Sequence, residues 1–364
     1  MLADEHLDRW ADLLVDYCLA LQPLETVSIA SEWDAAPLVD RCARRAIRRG
    51  SRPIIRLEPP GLREFFLREA SPELLEHVSP IELFEAQTVD ARIRISAESD
   101  LSAAASIDAS RQAIRDRALD PVRRAAAKKR WTLTQYPTPA YAQAAKMSLE
   151  EYEKFVISAM FLDRSDPIEA WRELGRSQAG LVRAMTPVDA IRIEADGTDL
   201  SLSVKGRTWI NSDGKRNMPS GEIFTGPIED SASGRLRCGF PVYRDGREIV
   251  GIELEFRDGL VVSARADRGE DYLLAMLDLD SGSRRLGELG IGLNEGIQRF
   301  TGSILYDEKI GGTIHVALGR SYPETGGVNE SALHWDLIVD LRSGGRLTAD
   351  GVTVIENGKR VVGS

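Results

Sequence analysis

Six side chains in the second half of the sequence share one chemistry. The carboxylates of Glu222, Glu288, Glu308 and Asp336 and the imidazoles of His315 and His334 are oxygen and nitrogen donors of the kind that zinc and similar cations take. The tightest spacing is His334-x-Asp336 in LHWDLIVDL, where polar residues alternate with Leu333, Trp335, Leu337 and Val339. Side chains two apart on a strand point to the same face, so this pair can converge on one ion. A half-exposed strand with its polar face in water would show the same letters. His315 lies 19 positions upstream in TIHVALG, again in an alternating run. The other two of the four histidines, His6 and His77, lie in charged helical surroundings and are expected to face solvent.

Taken singly, each carboxylate has an ordinary explanation. Glu222 sits among turn formers in RNMPSGEIFTGPIEDSASGRL, where a loop carboxylate usually faces water. Gly287, Gly290 and Gly292 surround Glu288 in LGELGIGLN. That stretch reads either as a helix end running into a loop or as backbone that something approaches closely. Taken jointly, four carboxylates and two imidazoles can hold two divalent cations. Such ions, about 3.5–4 Å apart, clamp the attacking and leaving oxygens of a hydrolysis.

The elements that must position these donors divide into two patterns. In the first half, TVSIA, PIIRL and ARIRISA read as strands and APLVDRCARRAIRRG as a helix ending at Gly50. Strand–helix–strand order predicts a parallel sheet with crossover helices. Leu7, Trp10, Leu14, Tyr17, Cys18 and Leu21 recur at helical spacing in an amphipathic first helix. Ser148 and Glu151 form a capping box, and Pro167 stands at another helix start. The expected break falls near Thr186-Pro187, giving a 1–186 α/β domain with a helical linker region and a 187–364 catalytic metal-binding domain. Beyond it the period becomes two, with Asp-Gly turns at 196–197, 245–246 and 258–259. Helices are expected near Asp271–Asp278 and Ser283–Leu293. The fold class is therefore α/β, an N-terminal parallel α/β domain joined to a C-terminal α+β domain rich in antiparallel sheet that carries the metal site.

Composition excludes several classes. Hydrophobic residues make up 43% and charged residues 29%, with a net charge of −10. A nucleic-acid binder would carry a basic footprint, so no nucleic acid is expected. No apolar run approaches a membrane span, and the N-terminus is too charged for a signal peptide. Three scattered cysteines form neither a metal motif nor a disulfide framework, which points to the cytoplasm. The first half holds no glycine-rich phosphate loop.

In order, NMPSGEIFTGPIEDSASG, LGELGIGLN, GGTIHVALGRSYP and LHWDLIVDL resemble the M29 family of metallopeptidases, the aminopeptidase T type. RWTLTQYPTPAYAQAAKMSLEEYEKFV is similar to that family's region ahead of the catalytic half. The resemblance implies a cytoplasmic homodimer with two divalent ions per chain (Zn, Co, Mn or Mg) that removes N-terminal residues, with fairly broad side-chain tolerance, from peptides with a free N-terminus. It implies Glu222 as a metal ligand and Glu288 as the bridge between the ions or the base. Glu308, His315, His334 and Asp336 complete the coordination, and Tyr322 is a nearby proton donor or transition-state stabiliser. Two rivals remain. His315, His334 and Asp336 alone match the two-histidine, one-carboxylate pattern of non-haem iron(II) oxygenases, and dihydroxypyridine ring-cleaving dioxygenases resemble this fold too. A metal- or peptide-binding protein without catalysis is the other.

Overall fold

The computed structural model describes residues 2–103, 107–244 and 246–362. It divides into two compact units, one running to Ala170 and including Gly214–Pro219, the other comprising Trp171–Asp213 and the chain from Ser220 onward. The division lies near the start of the helix Pro167–Met185, whereas the sequence suggested a break at its end.

The first unit is built on four parallel strands, β1 (Thr26–Glu32), β2 (Arg52–Glu58), β3 (Ala91–Ser96) and β4 (Arg130–Gln135), in the order β2-β1-β3-β4. The expected crossover helix spans Ala36–Arg48 and buries Leu38, Val39, Cys42, Ala43 and Ala46. It stops before Gly50, whose φ of +79° suits a residue without a Cβ. The first helix, Asp4–Asp12, continues into a wider turn at Leu13–Cys18, and its apolar stripe is buried as the spacing requires. His6 on that helix is half-buried rather than solvent-facing, while His77 is exposed. The Ser148–Glu151 capping box forms, each side chain accepting from the other's backbone N–H.

The second unit is a stack of antiparallel sheets. Its strands are β5 (Ala190–Ala195), β6 (Thr198–Ser203), β7 (Ile210–Ser212), β8 (Glu222–Thr225) and β9 (Ser233–Cys238). Then follow β10 (Val242–Arg244), β11 (Arg247–Ile249), β12 (Ile252–Arg257), β13 (Leu260–Arg265) and β14 (Leu286–Gly292). The last five are β15 (Thr313–Gly319), β16 (His334–Asp340), β17 (Arg346–Ala349), β18 (Val352–Glu356) and β19 (Lys359–Arg360). One sheet runs β13-β12-β9-β6-β5-β17-β18-β19, a second runs β16-β15-β14-β8-β7, and β10-β11 form a hairpin. Asp258 and Gly259 both take positive φ in the β12–β13 turn, as an Asp-Gly hairpin demands. Asp245 of the second expected Asp-Gly turn lies outside the described residues.

One apolar core lies between the large sheets. Ile193, Leu200, Leu236 and Leu254 come from one side; Ile223, Leu289, Ile291, Val316 and Leu337 come from the other. The helix Glu270–Leu277 forms near its expected place, but the helix expected over Ser283–Leu293 does not. Leu286–Gly292 within that stretch are β14, a fully buried central strand. Its pairing with β15 and β8 overrides a local pattern that mimicked a helix.

Candidate metal centre

The five-stranded sheet gives one face to the core and the other to the donors. On β14, Leu289 and Ile291 enter the core, so Glu288 and Gly290 face the opposite way. On β15, Ile314, Val316 and Leu318 do the same and turn His315 to the donor face. On β16, core-facing Trp335 and Leu337 leave His334 and Asp336 on it. On β8, Ile223 is in the core and Glu222 is not. Cross-strand register aligns them: Glu222 lies opposite Gly292, His315 opposite Gly290, and Ala317 opposite both Glu288 and Asp336.

Small residues stand between the donors because the donors need the space. A Cβ on Gly290 would lie 2.1 Å from the Cε1 and Nε2 of His315, so the imidazole can lie across β14 only above a glycine. A Cβ on Gly292 would lie 2.3 Å from the Ile310 carbonyl oxygen and 3.1 Å from that of Glu308. That glycine lets the segment carrying Glu308 settle on the sheet. Close approach, rather than a helix end, is what the glycines of LGELGIGLN provide.

Glu222 is not a loop carboxylate facing water. It opens β8 and is 4% exposed, its carbonyl accepting from Gln178 Nε2 at 2.8 Å. The preceding turn is fixed by Ser220 Oγ donating to the Ser212 carbonyl at 2.9 Å and by Asn294 Nδ2 donating to the Ser220 carbonyl at 2.9 Å. Downstream, Ser231 and Glu229 anchor the same loop. Ser231 Oγ donates to the Ile228 carbonyl at 2.7 Å, and Glu229 accepts from Val328 N–H at 2.8 Å and Arg207 at 2.6 Å. Asp280 secures the approach to β16, accepting from the Ala332 and Gly282 N–H groups and the Ser331 and Ser283 hydroxyls. These four bonds hold its carboxyl near 2.

The six sequence-derived donors fall into two triads, each with one imidazole and two carboxylates. Glu222, Glu308 and His315 offer donor atoms within 4.8 Å of one another, as do Glu288, His334 and Asp336. Glu288 links the triads: Oε1 is 3.5 Å from His315 Nε2 and Oε2 is 3.4 Å from His334 Nε2. His315 Nε2 is also 3.5 Å from Glu222 Oε2, and His334 Nε2 is 3.7 Å from Asp336 Oδ1. His334 Nδ1 lies 2.9 Å from the Arg320 carbonyl, which can only accept. Nδ1 therefore carries a proton, and Nε2 is turned toward the carboxylates, the orientation in which a histidine can give Nε2 to a metal in exchange for its second proton. Tyr322 is set edge-on to His334 at 5.1 Å and tilted against Phe224 at 5.6 Å.

The electrostatics are those of charges taken out of water together. Burial lifts Glu222 to about 7 and Asp336 to about 6. Burial would raise Glu288 too, but the two imidazoles outweigh it and hold that carboxyl near 2. Burial would lower the histidines, yet the carboxylates hold His315 up at about 10 and His334 at about 9. Burial and the charges of Glu288, Asp336 and Glu308 push the Tyr322 phenol up, keeping it protonated.

A cation fits this donor set. Glu222 Oε2, both ring nitrogens of His315 and Asp336 Oδ1 are buried without a hydrogen-bond partner among the described residues. Of these, Glu222 Oε2, His315 Nε2 and Asp336 Oδ1 face the other donors, and three such atoms in one cluster are what bound divalent ions would satisfy. The sequence reading missed Lys309. It is 0% exposed, pairs with Glu308, and brings Nζ to 3.6 Å from Glu222 Oε1. Its position beside Glu308 was visible, but nothing in the letters marks a lysine as buried, since lysines are almost never so.

Aminopeptidase 2 of Geobacillus stearothermophilus is 30% identical over 98% of this chain and 96% of its own length. The structure of wild-type AmpT from Thermus thermophilus superposes with a TM-score of 0.85 at 25% identity, over 98% of this chain and 99% of that one. A 2,5-dihydroxypyridine dioxygenase from Pseudomonas putida matches with a TM-score of 0.59 at 14% identity over 100% of this chain and 99% of that one, a likeness of fold alone. No described helix is long and apolar enough to cross a membrane. Residues 3–359 match the family described as Thermophilic metalloprotease (M29), and the chain belongs to that family.

Proposed function

We propose that this protein is an aminopeptidase that removes N-terminal residues from peptides, using two divalent ions held by Glu222, Glu288, Glu308, His315, His334 and Asp336. The observation that carries the reading is the Glu288 carboxylate spread between two imidazoles, one oxygen toward each, so that it joins its own triad to the other. A mononuclear iron site would need His315, His334 and Asp336 around one point. Here His315 groups with Glu222 and Glu308, and the other two group with Glu288.

Bound there, divalent ions would supply a water of near-neutral pKa and polarise the scissile carbonyl. Of the two roles the resemblance implies for Glu288, the geometry supports the bridge, because its two carboxylate oxygens lie toward the imidazoles of different triads. A site carboxylate, Glu288 in the reading taken from the resemblance, would accept the proton of the attacking water. The Tyr322 hydroxyl, kept protonated, donates a hydrogen bond to the oxyanion developing on the carbonyl. The excess of carboxylates favours a substrate's free α-amine over an internal amide, which is the basis of exopeptidase selection. From the resemblance we also take a homodimer and a cytoplasmic location. The latter agrees with Cys18, Cys42 and Cys238 all being buried free thiols.

The test is release of free amino acid from leucine or alanine anilide, loss of that release on chelation, and its return with Zn, Co or Mn. Absence of turnover from fully metal-loaded protein would refute the proposal.

A further inference from the structure

Beside the donors lies a cavity of about 230 Å³ that the hydrolytic chemistry leaves unexplained. His334 and Asp336 form part of its wall, so whatever fills it lies next to the candidate metal ligands. The rest of the wall is largely apolar. Phe240 and Phe300 stack at 5.0 Å with 7° between their planes, and Ile338 follows Asp336 on the donor face of β16. We propose that this cavity receives the side chain of the peptide's N-terminal residue and selects large uncharged side chains, aromatic or branched aliphatic. The assignment rests on the aminopeptidase reading of the adjoining site.

Size and charge both lead to this occupant. Whole-ligand pockets run to roughly 300–1,000 Å³, so this smaller cavity suits one side chain. The wall carries one charge of each sign, and both are already engaged: the Arg244 guanidinium lies 5.8 Å over the Trp335 ring and donates to the His334 carbonyl at 3.0 Å, and the buried Asp307 carboxyl accepts from the N–H and Oγ of Thr301 at 2.8 Å each. A charged side chain of either sign would therefore face a like charge as well as an occupied partner, whereas an uncharged one meets the aromatic walls without that cost. A small side chain would leave the phenylalanine walls uncovered. An apolar pocket discriminates by roughly 10–200-fold per methylene, so the preference over alanine should be large.

The experiment compares kcat/KM for tryptophan, phenylalanine, leucine, alanine, lysine and glutamate anilides in the metal-loaded wild type and two variants. Val242→Trp narrows the cavity from the β10 hairpin, and Phe300→Ala opens it. Thermal melting and metal content establish that each variant is folded and loaded. The wild type should prefer phenylalanine or leucine to alanine by at least about tenfold. Val242→Trp should reduce the phenylalanine-to-alanine ratio by about tenfold, and Phe300→Ala should lower it too while raising relative turnover of tryptophan anilide. Ratios within about twofold of wild type in both variants, or a wild-type preference for lysine or glutamate, would overturn the subsite while leaving the aminopeptidase reading standing. Failure of the wild type to cleave any anilide would sink that reading, and the subsite with it.

Discussion

Lys309 places a fixed positive charge against two carboxylates that would also attract an ion. Burial alone would lower its pKa, but Glu222 and Glu308 outweigh that and keep it charged. Removing one partner of a buried ion group leaves the others uncompensated, at a cost of about 3–5 kcal/mol. Lys309→Met should therefore melt well below wild type when metal-free. Added divalent ion should raise its melting temperature more than it raises wild type's, because the ion resupplies the missing charge. Equal metal-induced shifts in the two proteins would refute this role. Tyr322 acts later, in the transition state. Tyr322→Phe keeps the ring contacts with His334 and Phe224 but removes the hydroxyl, so kcat should fall about 10²–10³-fold with little change in KM. An unchanged kcat would take Tyr322 out of the mechanism. At this scale the sequence was readable wherever the donor type itself is informative. His334 and Asp336 announce themselves by spacing, Glu222, Glu288 and His315 by motif order, and Glu308 only as a carboxylate close by in sequence. Lys309 does not, because its meaning comes entirely from burial.

The strands carry the precision of the site. In β14 the donor face reads Glu288, Gly290, Gly292, one donor followed by two residues small enough for neighbouring chains to lie over them. Gly290→Ala would put a methyl group into the His315 ring. The expected result is a loss of about 1–3 kcal/mol from overpacking, together with a fall in metal content, since the displaced imidazole serves one triad and contacts the linking carboxylate. Wild-type stability and metal content in that variant would show that His315 does not need the glycine. Elements with a clear period were legible: the β5–β6 hairpin, the crossover helix and the first amphipathic helix all form where the pattern puts them. β14 was misread as helix because a strand buried on both faces loses the alternation that marks a strand. β4 was met only as part of a resembling segment, and Glu222 was placed in a loop because its turn residues outnumber the four residues of β8.

At the scale of the whole molecule, all six donors belong to the antiparallel unit, brought there by β8, β14, β15, β16 and the Glu308 turn from positions spread along the chain. The change from parallel to antiparallel pattern was visible in the sequence, because one pattern alternates helices with strands and the other repeats with period two. Where one unit ends and the next begins was less visible, since the helix Pro167–Met185 belongs to both patterns equally. The central claim is that these donors grip a pair of ions, and metal analysis of the purified, active protein tests it most directly. The account predicts about two divalent ions per chain, with hydrolysis of leucine anilide following their occupancy. A single iron per chain, or full hydrolysis with no metal bound, would contradict it.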